Sequence, residues 1–129
     1  MRFDTIIIGG GLAGLVAGIK LTSEGQKCAI ISSGQSALHF FSGSFDLLGY
    51  NGTKEIDNPI EAIADLDAKH PYSKMGAATV AALADEAKDF FDKIGIKFCG
   101  ETTRNHYRIS PTGELRKTWL TLDKHFCCN

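Results

Sequence analysis

The hydrophobic pattern of the first third of the chain predicts a strand, a helix and a second strand. Three consecutive isoleucines end the segment 3–8, and such an unbroken apolar run suits a strand covered on both faces, as in a parallel sheet. Apolar residues then recur at helical spacing over 12–24, and Gly25 follows as a helix terminator. A further apolar run predicts a strand over 27–32. This order predicts a βαβ unit with parallel strands.

The rest of the chain shows helical spacing first and strand-like segments towards its end. Asn58 is a typical N-cap, Pro59 suits the first position of a helix, and Pro71 indicates where that helix stops. A longer apolar stripe follows and ends at Gly95. The predicted elements are helices over 59–69 and 74–94, a strand over 96–99, and hairpin strands over 107–110 and 115–120 around a turn at 111–114.

Composition places the chain among ordinary globular proteins. Of its 129 residues, 43% are hydrophobic and 22% charged, and the formal net charge is -1. This balance gives no reason to expect a nucleic-acid partner, and no apolar stretch approaches the ~20 residues of a membrane-spanning helix. The N-terminus lacks a signal-peptide pattern, so we expect a cytoplasmic protein. Since only two parallel strands are evident, we expect residues 1–129 to be one flavin- or dinucleotide-binding domain truncated from a longer protein.

The four cysteines show no metal-binding pattern. Cys28 and Cys99 lie in apolar segments and are expected to be small core residues. Cys127 and Cys128 are adjacent in the tail, where exposure without a specific role is the simpler interpretation. No C-x-x-C pair and no histidine at zinc spacing is present, so the sequence predicts neither a metal site nor a disulfide.

The turn after the first predicted strand contains the pattern G-x-G-x-x-G. Its first glycine permits a tight turn, the second lets the backbone approach a phosphate, and the third lets the helix lie close to the strand. The N–H groups at the start of the helix would then face an anion. A glycine-rich turn without a ligand is the alternative, but a strand before and a helix after favour a nucleotide or flavin site. The predicted cofactor-binding residues are Gly9, Gly10, Gly11, Leu12, Ala13 and Gly14.

The position after the second predicted strand lacks the acidic residue typical of dinucleotide sites. That Asp or Glu follows the glycines by ~20 residues and binds the adenosine ribose. Here Ser32, Ser33 and Gly34 stand in its place, and we predict them near the ribose or ribityl group. Serine hydroxyls bind a ribose less strongly than a carboxylate does. The pattern therefore disfavours NAD, leaves FAD open and makes FMN a candidate.

The segment 35–49 mixes polar, small and aromatic residues more densely than a solvated linker does. It leaves the carboxyl end of the second predicted strand, where ligands bind in open α/β sheets. We therefore predict that Ser42 and Gly43 line the cofactor. His39 is the candidate catalytic acid–base residue, because histidine is the usual proton shuttle. A structural histidine, in a connection whose aromatic residues pad the core, is an equally good interpretation.

The predicted hairpin carries several cations. Arg104, Arg108, Arg116 and Lys117 are candidates for phosphate contacts, and the hairpin itself is a candidate cap over a pocket. Charged strand faces are usually only solvated, so both interpretations stay open.

Several segments together resemble the start of the B-subunit family of anaerobic glycerol-3-phosphate dehydrogenases. The glycine turn is common to flavoproteins in general, whereas the segment 34–44 is much more specific. The resemblance covers most of the chain and is carried by residues 1–5, 9–15, 34–40, 42–44, 70–73, 111–113 and 118–120.

The resemblance implies a Rossmann-like FAD/NAD(P)-binding fold, here α/β with an incomplete parallel sheet, inserted helices and a β-hairpin. It implies a flavoenzyme subunit that binds FMN, with FAD as the alternative. The complex would oxidise sn-glycerol 3-phosphate to dihydroxyacetone phosphate and pass electrons to menaquinone. It implies an FAD-bearing catalytic subunit and a membrane-anchoring iron–sulfur subunit as partners, so that the protein lies at the inner face of the cell membrane. Family members are considerably longer than this chain.

Two other functions remain open at this point. A nicotinamide-binding oxidoreductase module would share the glycine turn, although the missing carboxylate argues against it. A non-catalytic assembly piece would fold, bind no cofactor and self-associate through its open sheet edge.

Overall fold

The computed structural model describes residues 1–122; residues 123–129, including the predicted exposed Cys127 and Cys128, lie outside the described part. The chain divides into two compact units, Met1–Ser42 and the remainder from Gly43 onward. Within the described residues, none of the helices has the length and apolar character needed to cross a membrane.

The first unit is built on the predicted βαβ pattern. Strand β1 (Thr5–Ile8), helix α1 (Leu12–Ser23) and strand β2 (Cys28–Ile31) follow one another along the chain. The two strands pair in parallel, with Ile7 opposite Ile30, so the prediction of a parallel βαβ unit is confirmed. A 3₁₀ helix at Ala37–Phe40 then occupies part of the segment predicted as a connection.

Helix α1 packs against one face of the two-stranded sheet. At Gly18, an added Cβ would lie 3.1 Å from the side chain of Ile30 and 3.3 Å from that of Ile7, so the helix and sheet are in close contact. Side chains alternate between the two faces of a strand. Ile8 and Ile31 are therefore on the opposite face, where they are 87% and 57% exposed.

The second unit combines short antiparallel sheets with two helices. Strand β9 lies between β3 and β6, while β4 pairs with β5 and β7 pairs with β8. A 3₁₀ helix at Glu61–Asp65 precedes the helices. The elements are β3 (Ser44–Phe45), β4 (Tyr50–Asn51), β5 (Lys54–Glu55), α2 (Pro71–Met75), α3 (Ala77–Lys93), β6 (Phe98–Cys99), β7 (His106–Ile109), β8 (Leu115–Thr118) and β9 (Leu120–Leu122).

Two buried apolar clusters hold the second unit together. One is formed by Leu48, Ile56, Ile63 and Val80. The other is formed by Ala84, Phe98, Trp119 and Leu120, against which Phe91 and Phe45 pack with their rings 5.3 Å apart. The apolar stripe of α3 contributes to both clusters through Val80 and Ala84, which confirms its predicted packing role.

The predicted helix boundaries in this unit need correction. The helix predicted over 59–69 is only the short 3₁₀ helix, although Asn58 does cap its start by accepting hydrogen bonds from the N–H groups of Ile60 and Glu61. Pro71 begins a helix rather than merely ending one. The single helix predicted over 74–94 is two helices, because Gly76 between them has φ 81° and ψ 145°. Glycine adopts this backbone conformation readily, but the conformation is not helical, so the helix is interrupted at Gly76.

The hairpin prediction is correct for its turn and wrong for its second arm. Strands β7 and β8 pair as predicted, but β8 ends at Thr118 instead of Leu120. The N–H of Trp119 donates to the carbonyl of Phe45, and β9 then pairs with β3 and β6 in a different sheet. A long-range pairing therefore takes over the end of the predicted strand.

Candidate functional site

The turn between β1 and α1 has a backbone that brings the chain sharply from strand to helix. Gly9 has φ 112°, a conformation that side chains disfavour. Its N–H donates to the carbonyl of Ile31 over 2.8 Å, which ties the start of the turn to the end of β2. Gly11 is the N-cap of α1 in an extended conformation. The strand ends and helix start thus meet at one edge of the sheet.

Two further glycines of the turn lie close to other parts of the chain. A Cβ on Gly14 would lie 2.2 Å from the carbonyl oxygen of Gly9, a distance at which the backbone would have to move. A Cβ on Gly10 would lie 3.1 Å from Oγ of Ser32. The third glycine of the pattern therefore permits tight contact between helix and turn, which is the role predicted for it.

Gly11 differs from its neighbours because the space beside it is open. A Cβ there would meet no atom within 4 Å. No side chain caps the N-terminus of α1, and its first turn contains no acidic residue. The first N–H groups of a helix have no partner within the helix and carry the positive end of its dipole. Leu12 and Ala13 at this end are exposed.

These features fit a phosphate or pyrophosphate group. Donor N–H groups stand at the helix start, and at Gly11 no side chain occupies the space that a phosphate would need. The turn can therefore bind an anion through its backbone without a cationic side chain.

The residues that follow β2 lie beside this turn. Ser32 contacts the Gly10 position, as described above, and its hydroxyl donates to the carbonyl of Gly34 over 2.9 Å. Ser33 and Gly34 are exposed. This local hydrogen bond uses the only proton of the Ser32 hydroxyl and leaves its oxygen free to accept a hydrogen bond.

The other predicted site residues, His39, Ser42 and Gly43, lie farther along the chain. His39 lies on the Ala37–Phe40 3₁₀ helix, is exposed, and packs edge-on against Phe40 at 5.0 Å between ring centroids. Ser42 ends the first unit and Gly43, with φ 77°, begins the second. The carbonyl of Gly43 accepts from the N–H of Leu122. The roles of His39, Ser42 and Gly43 stay predictions.

The second unit contains a polar cluster that the sequence analysis did not find. Nζ of Lys117 donates to Oδ1 of Asp57 over 2.5 Å and lies 4.1 Å from the centre of the Tyr107 ring. The Tyr107 hydroxyl in turn donates to Oε2 of Glu55 over 2.5 Å. The Lys117 side chain is only 7% exposed, whereas that of Asp57 is 85% exposed. Lys117 is thus a buried structural cation and is not available for the phosphate contact considered for it.

These contacts shift several pKa values. The hydrogen bond from Lys117, and then its charge, hold the pKa of Asp57 below its ordinary 3.8. Burial by itself would lower the pKa of Lys117, but the hydrogen bond to Asp57 and its charge raise that pKa above 10.5. The hydrogen bond to Glu55 is the main cause that raises the pKa of Tyr107 above 10.0. Burial, followed by the charge of Lys117, lowers the pKa of His106 below 6.5.

Asn105 links the loops beneath this cluster. It is 4% exposed, and its Nδ2 donates to the carbonyls of Leu48 and Ile56, over 2.8 Å in each case. Its N–H donates to the carbonyl of Asp57. Only long-range contacts of this kind reveal such a residue, because its sequence neighbourhood carries no recognisable motif. Across residues 1–122 no three His, Cys, Asp or Glu side chains are grouped so as to hold a metal ion.

Comparison with known proteins places this geometry in context. The family model for the FAD binding domain matches residues 4–125. A relative from Pectobacterium carotovorum subsp. carotovorum, named as the B-subunit of anaerobic glycerol-3-phosphate dehydrogenase, is 46% identical over 125 residues, which are 94% of this chain and 30% of that protein. The protein of the same name from Yersinia enterocolitica is 49% identical over 127 residues, with 94% and 30% covered. That of Actinobacillus succinogenes is 42% identical over 127 residues, with 95% and 30% covered.

The comparisons confirm the resemblance that the sequence motifs predicted, and the chain spans about 30% of the length of the relatives it matches. No solved structure matches the chain, so the α/β class is supported by the family and by the mixture of helices and strands, while the finer Rossmann assignment remains a prediction. The matching family binds FAD, and it gives no support to FMN as the preferred cofactor. Because the family model covers most of the sequence, the chain belongs to the FAD binding domain family.

Proposed function

We propose that the chain binds FAD through the turn at residues 9–14 and forms the nucleotide-binding part, Rossmann-like in its βαβ core, of a flavin-dependent glycerol-3-phosphate dehydrogenase. The observation that carries this proposal is the open, uncapped start of α1 beside Gly11, in a chain that belongs to an FAD-binding family. The names of the relatives support the substrate assignment.

We propose FAD rather than FMN as the cofactor. The family model supports FAD, and a turn with several free N–H groups suits the pyrophosphate of a dinucleotide. Oγ of Ser32 accepts a hydrogen bond from one hydroxyl of the adenosine ribose, and Ser33 and Gly34 lie beside it. Because no carboxylate stands there, we expect the adenosine part to contribute less binding energy than in sites that contain one. FMN is the alternative.

The chain's own residues bind and orient the cofactor. The N–H groups at the start of α1 donate to the phosphate oxygens. The conformation of Gly9 turns the chain so that these N–H groups face the phosphate position. Close packing of Gly14 on the Gly9 carbonyl holds the helix start against the strand. A bound flavin would accept the two electrons that the substrate loses when its carbinol carbon becomes a ketone carbon.

In this proposal sn-glycerol 3-phosphate is oxidised to dihydroxyacetone phosphate by losing the proton of its hydroxyl group and, from the carbinol carbon, a hydride that carries the two electrons. His39 accepts the hydroxyl proton, and Ser42 and Gly43 line the cofactor. The electrons move towards menaquinone through an FAD-bearing catalytic subunit and a membrane-anchoring iron–sulfur subunit. The protein therefore lies on the cytoplasmic side, peripheral to the membrane. The names of the relatives, each one subunit of a dehydrogenase, support a multi-subunit complex.

The test is to add FAD, FMN or NADH to the purified full chain and to measure binding by fluorescence and visible absorbance. We expect FAD to bind more tightly than FMN, and NADH to bind weakest. Preference for FMN would contradict the cofactor assignment, and preference for NADH would favour a nicotinamide module. A chain that binds none of the three would support the alternative of an assembly piece without a cofactor.

A further inference from the structure

The β7–β8 hairpin places two arginines side by side. In its antiparallel register Arg108 is directly opposite Arg116. Side chains of directly opposed residues lie on the same face of the sheet, with Cβ atoms about 4.5–5.5 Å apart. Two like charges at this separation repel each other and destabilise the hairpin unless an anion lies between them. The register thus creates a site of double positive charge.

Neither guanidinium has a carboxylate partner among residues 1–122. The ion pairs of Lys97 with Asp92 and of Lys117 with Asp57, both in this unit, include neither arginine. Nε of Arg108 is buried without a hydrogen-bond acceptor. A buried donor without an acceptor costs free energy, so this atom indicates a missing acceptor at the pair.

The remaining groups on this face do not fill that role. His106 is next to Arg108 on the same face, and its Nε2 is 3.0 Å from Oγ1 of Thr121. The carboxylate of Glu114 is two residues from Arg116 along the chain, but no ion pair joins it to either arginine. Ser110 uses its hydroxyl within the turn, towards Thr112 and the N–H of Glu114.

On the opposite face of the same hairpin, the cation Lys117 has partners for its charge. There Lys117 stands opposite Tyr107 and has both the carboxylate of Asp57 and the aromatic ring as partners. The hairpin therefore neutralises its cation on one face with its own residues. On the Arg108–Arg116 face it supplies two guanidinium groups and no anion.

We propose that Arg108 and Arg116 form a binding site for a phosphate group carried by a small molecule. A guanidinium presents a planar fork of donors that matches two oxygens of one phosphate, and two guanidiniums balance the charge of a dianion. A carboxylate has fewer oxygens and half the charge. The phosphate belongs to a phosphomonoester substrate or is a free phosphate or pyrophosphate anion. The substrate version rests on the proposed function, whereas phosphate binding itself does not.

Titration calorimetry at fixed ionic strength tests this site, with inorganic phosphate, pyrophosphate and sn-glycerol 3-phosphate as the probes. All proteins carry Gly11→Val, so that the glycine turn contributes no phosphate binding. We expect Arg108→Gln and Arg116→Gln each to lower the affinity for the tightest-binding probe about tenfold or more, because a hydrogen bond to a charged group is lost. Lys69→Gln, at an exposed residue of the same unit, removes one positive charge away from the hairpin and should change affinity by less than about twofold.

Arg116 is exposed, so Arg116→Gln preserves the test if Arg108→Gln fails to fold. Tighter binding of sn-glycerol 3-phosphate assigns the site to a substrate, and tighter binding of phosphate or pyrophosphate assigns it to a free anion; both support the site. No binding of any probe, or an equal loss in Lys69→Gln, overturns it. If phosphate binds here while the wild-type protein binds no FAD, the proposed function fails and this inference stands.

Discussion

Gly14 is the residue whose missing side chain most directly shapes the turn at the start of α1. A Cβ there would lie 2.2 Å from the Gly9 carbonyl oxygen and 3.3 Å from Cγ2 of Ile7. Both neighbours belong to the turn and to β1, so the added atom cannot be accommodated by moving a flexible side chain alone. The close contact of helix and strand therefore depends on glycine at this position.

We predict that Gly14→Ala destabilises the protein by about 1–3 kcal/mol, the usual cost of overpacking. Thermal unfolding followed by circular dichroism measures the change. Gly34→Ala is the matched control, since a Cβ on Gly34 would meet nothing within 4 Å, and it should leave the melting temperature nearly unchanged. Equal stability of the two variants would show that the turn is looser than the structure indicates.

At the scale of elements, the contact between Asp57 and Lys117 joins the loop after β5 to strand β8. The folded-state pKa of Asp57 is below 3.8, mainly because Lys117 hydrogen-bonds to it. A carboxyl group with a lowered pKa contributes stability above its unfolded pKa, and that contribution is lost as pH falls through the folded value. The pKa of Lys117 is raised above 10.5, so the stability that this ion pair contributes is lost at high pH only above 10.5.

We predict that Asp57→Asn lowers the urea midpoint at pH 7 and that its difference from the wild type narrows below about pH 4. Asp89→Asn, which changes an exposed carboxylate on α3, is the control and should leave the midpoint almost unchanged at both pH values. A difference between Asp57→Asn and wild type that does not narrow as the pH falls below 3.8 would contradict the ion pair.

Elements set by local sequence could be predicted, and those set by distant pairing could not. Strands β1 and β2, helix α1 and the glycine turn follow from hydrophobic spacing and from glycines close to one another along the chain. Strand β9 was missed as a separate element because it forms by pairing with β3, far away in the chain. Likewise, Lys117 has the sequence context of a solvated cation, and its partner Asp57 lies 60 residues earlier.

Residues of the candidate site likewise divide into those set by local sequence and those set by distant pairing. The turn at residues 9–14 was predictable because its glycine spacing is a local pattern between a strand and a helix, although the contacts of Gly9 with Ile31 and of Gly10 with Ser32 come from farther along the chain. The pairing of Arg108 with Arg116 depends on the register of a hairpin, which the sequence defined only approximately. His39 was chosen for its chemistry alone, and nothing in its contact with Phe40 tests that choice.

At the scale of the whole molecule, the first unit has an uncovered apolar face. Ile6, Ile8 and Ile31 are 58%, 87% and 57% exposed, and the parallel sheet to which they belong has only two strands. Parallel sheets are normally covered on both faces, and unpaired strand edges readily pair with another chain.

We predict that the chain by itself self-associates through this face and edge. Sedimentation velocity should show a concentration-dependent dimer for the wild type, and Ile8→Lys should shift it towards monomer because a lysine opposes both apolar contact and edge pairing. Ile109→Lys, at a side chain 46% exposed in the second unit, is the control and should leave the dimer unchanged. A monomeric wild type at high concentration would count against the prediction.

The central claim is that the start of α1 binds the phosphates of FAD, and Gly11→Val tests it most directly. The extended backbone of Gly11 accepts valine, and the open space beside it means that the fold is kept while the phosphate position is filled. Ala17→Val adds the same side-chain type to the exposed middle of α1. In a fluorescence titration with FAD, we predict that Gly11→Val loses binding while wild type and Ala17→Val retain it. Unchanged FAD affinity in a folded Gly11→Val protein would contradict the claim.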